Sequence, residues 1–271
     1  MKYLLIVILF ACASHKLFAQ ITDTSFSLVR TYKGDITAAA LDNLDNLYIV
    51  SSTGQVKKIG PKGDSIGVFN GIRAAGRLFS IDVTNPLKPL LFYKDFSTVV
   101  VLDRFLAARV SIDLRRYNIL QPSAIGLSYD NNIWVFDQYD NKLKKIDEAG
   151  TSLLETSDFR TVFNQSFAPS KIINDNNLLY LADSAKGIFV FDNYGTFQKK
   201  IPVTAWANID IRNGMIVRLG QKEILVYNPT NFIDRSRKLP SAFTPYLHSF
   251  TTGNKLVSFS QDSLAIYRVG Y

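Results

Sequence analysis

An all-β fold, a six-bladed β-propeller in a single domain, is predicted by three observations in this 271-residue chain. Short apolar runs recur at a steady period, a second β-rich run bounded by turn residues precedes each of them, and no helical period of comparable strength competes. The recurring runs are VKKI at 56, VVVL at 99, LKKI at 143, IFVF at 188, ILVY at 224 and LAIY at 264, spaced by 43, 44, 45, 36 and 40 residues. That spacing is the length of a four-stranded blade.

The preceding runs are NLYIVSS, PLLFYKD, NIWVFDQ, LLYLADS, MIVRLGQ and KLVSFSQ, rich in β-branched and aromatic residues. Several are introduced by Asn, Asp or Gly, as at Asp45-Asn46, Asp130-Asn131-Asn132, residues 174–177, Asn213-Gly214 and Gly253-Asn254. Such residues tolerate left-handed backbone and close tight turns. Further upstream lie ITAAALD, LFSIDVT, SAIGLSY, PSKIIND, WANIDIR and YLHSFTT. These are read as the inner strands, where close approach at the axis favours small residues such as Ala38, Ala40, Ser80, Ala124, Gly126, Ser170 and Ala207.

Six units give blades at about 36–77, 78–121, 122–168, 169–205, 206–242 and 243–271. The last unit lacks an outer strand, whereas residues 26–32 (FSLVRTY) form a strand with no unit of its own. Placing residues 25–34 on the outer edge of the last blade closes the ring and removes an open edge.

The first 19 residues read as a signal peptide: Lys2, an apolar run at 4–13, and Leu17-Phe18-Ala19 before Gln20. The run is too short for a membrane span, which needs about 20 residues. Leu9-Phe10-Ala11-Cys12 loosely resembles a lipobox, but Phe10 is bulky for that site. Cleavage after Ala19 removes the sole cysteine, leaving 20–271 as the propeller with no disulfide or thiolate ligand. The expected location is the periplasm.

The formal charge of +8 becomes +6 without Lys2 and Lys16. Its cations fall in small groups: Lys57-Lys58, Arg115-Arg116, Lys144-Lys145, Lys199-Lys200, and Arg235 with Arg237-Lys238. The reading adopted is a solvated outer surface, with an acidic partner or an anionic envelope surface as the alternative. No nucleic-acid partner is expected.

Catalytic sets are sparse. Only His248 remains after the leader, too few histidines for a zinc site or a Ser-His triad. Oxygen-ligated calcium would draw on Asp42, Asp82, Asn174 and Asp210 near the inner-strand ends, residues that such turns use in any case. No residue is expected to be catalytic or to bind a cofactor or metal. A lactonase-type enzyme with an axial divalent ion, or a glycan- or peptide-binding propeller, stands as the alternative.

DNNIWVFD and DNNLLYLAD loosely resemble strands of NHL-type propellers. The stretch 81–106, followed by IGLSYDNNIWVFDQYDNKLKKID, resembles a family of exported propellers of Gram-negative bacteria with type IX secretion, closest to the periplasmic plugs of the outer-membrane translocon. The resemblance implies a non-enzymatic propeller, peripheral to the membrane and monomeric when free. Its implied partner is a large outer-membrane β-barrel whose periplasmic mouth it caps. The shared features are blade-forming, so no contact residue is carried over. Independently, the turn Pro86-Leu87-Lys88-Pro89 replaces the Asn/Asp/Gly turns of the sister blades with a stiff one. An apolar Leu87 beside a cation makes these four residues the candidate partner contact.

Overall fold

The computed structural model describes residues 25–71, 76–240, 243 and 248–270. The expected leader at 1–19, with Cys12 and the cleavage after Ala19, lies outside them. After β1 (Phe26–Lys33), blade 1 comprises β2 (Ala38–Leu41), β3 (Leu47–Val50), β4 (Val56–Ile59) and β5 (Ser65–Phe69). Blade 2 comprises β6 (Ser80–Asp82), β7 (Leu90–Tyr93), β8 (Thr98–Leu102) and β9 (Ala108–Asp113). Blade 3 follows with β10 (Pro122–Leu127), β11 (Ile133–Asp137), β12 (Lys142–Ile146) and β13 (Ser152–Glu155). Blade 4 holds β14 (Lys171–Asp175), β15 (Leu178–Asp183), β16 (Gly187–Asp192) and β17 (Phe197–Ile201). Blade 5 holds β18 (Asn208–Arg212), β19 (Met215–Leu219), β20 (Glu223–Asn228) and β21 (Ile233–Lys238). Blade 6 holds β22 (His248–Thr252), β23 (Lys255–Phe259) and β24 (Ser263–Val269). Each sheet is antiparallel in chain order from the axis outward, and the six form a six-bladed β-propeller.

The ring closes as the sequence predicts. β1 lies antiparallel on β24, from Phe26 opposite Val269 to Lys33 opposite Ser263, with a bulge between Leu28 and Arg30. Arg30 Nη1 donates to Gly60 O at 2.6 Å, fastening the closing strand to blade 1 as well.

Apolar density in the middle strands follows from burial on both faces. In β7, Leu90 and Phe92 pack toward blade 3, while Leu91 and Tyr93 pack toward blade 1. The same alternation gives an apolar cluster at every one of the six blade interfaces. Each fully buried Leu, Val or Phe there stabilises the fold by roughly 1.5–3 kcal/mol. Close approach at the axis sets Gly126, whose Cβ would lie 2.6 Å from Ile172 O of blade 4.

Left-handed backbone at Asp45, Asn131, Asn176, Asn177, Asn213, Gly214 and Gly253 accounts for the Asn/Asp/Gly turns between first and second strands. Blade 2 is the exception, with no such residue between β6 and β7. Its inner strand is three residues long, and its second strand starts at Leu90 rather than Pro89. Proline cannot donate to the ladder, although Pro89 O accepts from Leu102 N at 2.9 Å.

Two 3-10 turns, Lys94–Phe96 and Leu114–Tyr117, and one α-helical turn depart from the strand pattern among the described residues. α1 (Phe159–Phe163), capped by Asp158, sets Phe159 against Phe136 and Phe191, and Phe163 against Phe167 and Phe189. It fills the interface between blades 3 and 4 with aromatic rings. Among the described residues no helix is long and apolar enough to cross a membrane.

Candidate functional site

The inner strands surround an axial channel of about 350 Å³. Ala38, Ala39 and Ala40 line one side, Ile125 and Ile172 another, and Asp82, Lys171, Asp210 and Arg212 supply charge. Most of that charge is spent within the ring. Asp82 accepts from Leu127 N of blade 3 at 2.7 Å and from Thr84 N at 2.8 Å. Asp210 accepts from Gly253 N of blade 6 at 2.9 Å and faces Arg212 Nε at 3.4 Å. Asp175 accepts from Asn213 and Gly214 N of blade 5. Three inner strands thus each carry a carboxylate that ties its blade to the next. Lys171 Nζ donates to Ile209 O at 2.7 Å, and Arg212 Nη2 to Thr252 Oγ1 at 2.6 Å.

The four residues considered as calcium ligands are accordingly engaged in four separate places. Asp42 is buried, accepting from Asn46 Nδ2 at 2.8 Å and from the Tyr48 hydroxyl at 3.0 Å. Burial, then the adjacent Asp42 carboxylate, push the Tyr48 phenol well above its usual range. Asn174 Nδ2 donates to Asn193 Oδ1 at 3.1 Å. Among the described residues no group of three His, Cys, Asp or Glu side chains converges as a metal site would need. His248 opens β22 exposed, its ring 5.2 Å from that of Phe259. Two buried channel atoms, Thr251 Oγ1 and Asn208 Oδ1, lack a hydrogen-bond partner.

The stretch 86–89 is mostly interior. Pro86, Lys88 and Pro89 are buried, and of these four residues only Leu87, at 61% exposure, reaches solvent. Lys88 Nζ pairs with Glu148 Oε1 at 2.7 Å and donates to Asn131 O at 2.5 Å, both in blade 3. Asn85 Nδ2 donates to Asn131 Oδ1 at 2.9 Å. From the other side, buried Lys58 of blade 1 donates to Pro86 O at 3.1 Å and Arg104 O at 3.0 Å. Burial lowers the pKa of Lys58, against the pull of Asp42 and Asp103. The expected cation beside Leu87 is therefore a bolt between blades, because an ammonium shut from water has to find carbonyl and carboxylate partners. Of the four predicted contact residues, Leu87 alone is exposed.

Antiparallel blades put the first-to-second and third-to-fourth strand turns at one end of the ring. That end carries six large exposed apolar side chains: Leu44, Leu87, Phe105, Tyr129, Tyr194 and Phe232. Arg104 lies over the Phe105 ring at 4.6 Å, and Lys145 over Tyr129 at 4.9 Å while paired with Asp130 at 2.5 Å. Burial opposes ionisation of Asp130, yet hydrogen bonds from Lys145 and Asn132 outweigh it and hold the carboxyl at about 2. Of these six, only Leu87 is a contact residue expected from the sequence. The signal for the others was an aromatic or apolar residue inside a polar turn, as in DNYG at 192–195.

No protein-family model matches the chain, and no curated protein matches its sequence. Solved structures do resemble it in shape. Catalytically inactive virginiamycin B lyase from Staphylococcus aureus with quinupristin is 11% identical, with a TM-score of 0.59 over 90% of this chain and 100% of that one. The WD40 domain of Neurospora crassa Pan2 is 15% identical, with a TM-score of 0.59 over 87% and 79%. BBS1N, in a complex with ARL6DN, is 11% identical, with a TM-score of 0.54 over 91% and 97%. At these identities the likeness is one of fold.

Proposed function

We propose that this chain is a non-enzymatic, protein-binding propeller of the bacterial periplasm. In this reading it docks through the end bearing Leu44, Leu87, Phe105 and Tyr129 onto a large outer-membrane β-barrel, capping the periplasmic mouth of a type IX translocon. One observation carries the reading: large apolar side chains stand exposed at the same end of five consecutive blades. A rigid ring with apolar anchors spread over one end suits a broad protein surface better than a small substrate. The family resemblance of residues 81–147 supplies the partner class. The engagement of Asp42, Asp82, Asn174 and Asp210 in separate contacts favours this reading over a metal-dependent lactonase.

Affinity purification of the translocon, with and without its substrate, tests the assignment. The chain should co-purify with the empty translocon, and Leu87→Asp with Phe105→Asp should abolish this. Absence from both preparations overturns the plug role. A second reading, a ligand in the axial channel, draws on the unpartnered Thr251 Oγ1 and Asn208 Oδ1. It predicts a melting temperature that rises with glycan or peptide ligand and is unmoved by chelator.

A further inference from the structure

The outer strands divide the rim electrically. β5 carries no charge, β9 carries Arg109 and Asp113, and β13 carries Glu155. The charges of β9 and β13 are paired: Arg109 with Glu148, Asp113 with Arg115, and Glu155 with Lys142. β1, the outer strand of blade 6, carries Arg30, bonded to Gly60 O, and one exposed lysine, Lys33. β17 and β21, in the adjacent blades 4 and 5, instead carry Lys199, Lys200, Arg235, Arg237 and Lys238. All five are exposed, and none forms an ion pair among the described residues. The one carboxylate on these two strands, Asp234, faces Arg218 at 3.5 Å.

A second observation coincides with the first. The two most exposed large apolar side chains among the described residues are Tyr194 at 74% and Phe232 at 78%. Each sits in the turn that leads directly into one of the two cationic strands. Aromatic tips ahead of a basic strand thus occur twice, side by side, where the end of the ring meets its rim.

We infer that this corner of blades 4 and 5 binds an anionic phospholipid surface. Cations spread over two separate sheets have no common pocket, so they fit an extended anionic plane rather than one small anion. Tyr and Phe rings suit the depth of lipid headgroups, while lysine and arginine stems reach phosphates. Electrostatic attraction and ring insertion together supply the two signals that stable membrane association needs. The inference does not depend on the protein partner proposed above.

Co-sedimentation of the purified chain with vesicles tests it, using phosphatidylcholine alone and phosphatidylcholine with about one-third phosphatidylglycerol. Binding is expected only to the anionic vesicles, and about 0.5 M salt should release it by screening. Each cation near an anionic leaflet strengthens binding about fivefold, so Lys199→Gln, Lys200→Gln, Arg235→Gln and Lys238→Gln together should weaken it at least about a hundredfold. Tyr194→Ser with Phe232→Ser should weaken it without changing the salt dependence. Melting curves of both variants should match the parent, since these side chains are exposed. Equal binding by parent and glutamine variant, or equal binding to neutral vesicles, would assign adsorption to other parts of the chain and overturn the inference. Retention on an acidic polymer without vesicle binding would point to an acidic macromolecule and overturn it as well. The vesicles contain no protein, so failure here leaves the translocon test untouched.

Discussion

The turn 83–89 of blade 2 and the turns holding Tyr194 and Phe232 in blades 4 and 5 reverse what their compositions suggest. The first has two prolines, a leucine and a lysine, and looks built for contact. In the fold its prolines and lysine are buried, bonded to blades 1 and 3. The other two are ordinary polar turns, DNYG and PTNF, yet they hold the most exposed rings of the described residues. Unusual composition in a repeat unit can therefore mark a structural joint. Availability to a partner depends on which side chains the neighbouring blades leave uncovered.

The contrast can be broken by experiment. The largest effect is expected at the joint: Lys88→Met removes a charged pair and a charge-assisted hydrogen bond, and should cost about 2–3 kcal/mol in urea unfolding. A loss below about 0.5 kcal/mol would mean that the bolt contributes little. Asp82→Ala, which unties blade 2 from Leu127 of blade 3, should cost about 1–2 kcal/mol by the same measurement.

Acid should expose a third contribution. The Asp130 carboxyl is held at about 2, below its unfolded value near 4, so its stabilisation is complete above about pH 4 and is lost as pH falls toward 2. Solvent screening at a carboxylate 30% exposed leaves about 1 kcal/mol to be lost over that window. Asp130→Asn should flatten this part of the stability profile measured by urea unfolding at graded pH. Smallest of all, Leu87→Ser, Tyr194→Ser and Phe232→Ser should each move stability by less than about 0.5 kcal/mol, because their side chains pack on little. A larger change at Tyr194 or Phe232 would erase the distinction between joint and exposed turn.

Much of the fold was legible without coordinates. The period of VKKI, VVVL, LKKI, IFVF, ILVY and LAIY counted the blades, and the unmatched FSLVRTY strand located the closure. Those signals survive because both faces of a middle strand are buried and most of its residues must be apolar, the buried lysines Lys58, Lys144 and Lys145 each finding polar partners. The helical turn at Phe159–Phe163 was not legible, since a single turn leaves no sustained period and its rings serve one particular gap. The candidate site was legible only at Leu87. The roles of Asp82, Asp175 and Asp210 as ties between blades could not be read from spacing, because their partners lie 45, 38 and 43 residues away in the next blade.

What the sequence determined by itself is the set of local choices: strand and turn periodicity, glycine and asparagine where the backbone turns left-handed, and apolar runs that demand cover on both faces. Tertiary structure alone decided whether a lysine faces water or a carbonyl of the next blade. It also decided which turn aromatics remain uncovered, and that five unpaired cations lie on two adjacent outer strands. The physical reason is that desolvation depends on neighbours distant in the chain, and a charge or ring has the same local sequence whether or not a neighbouring blade covers it.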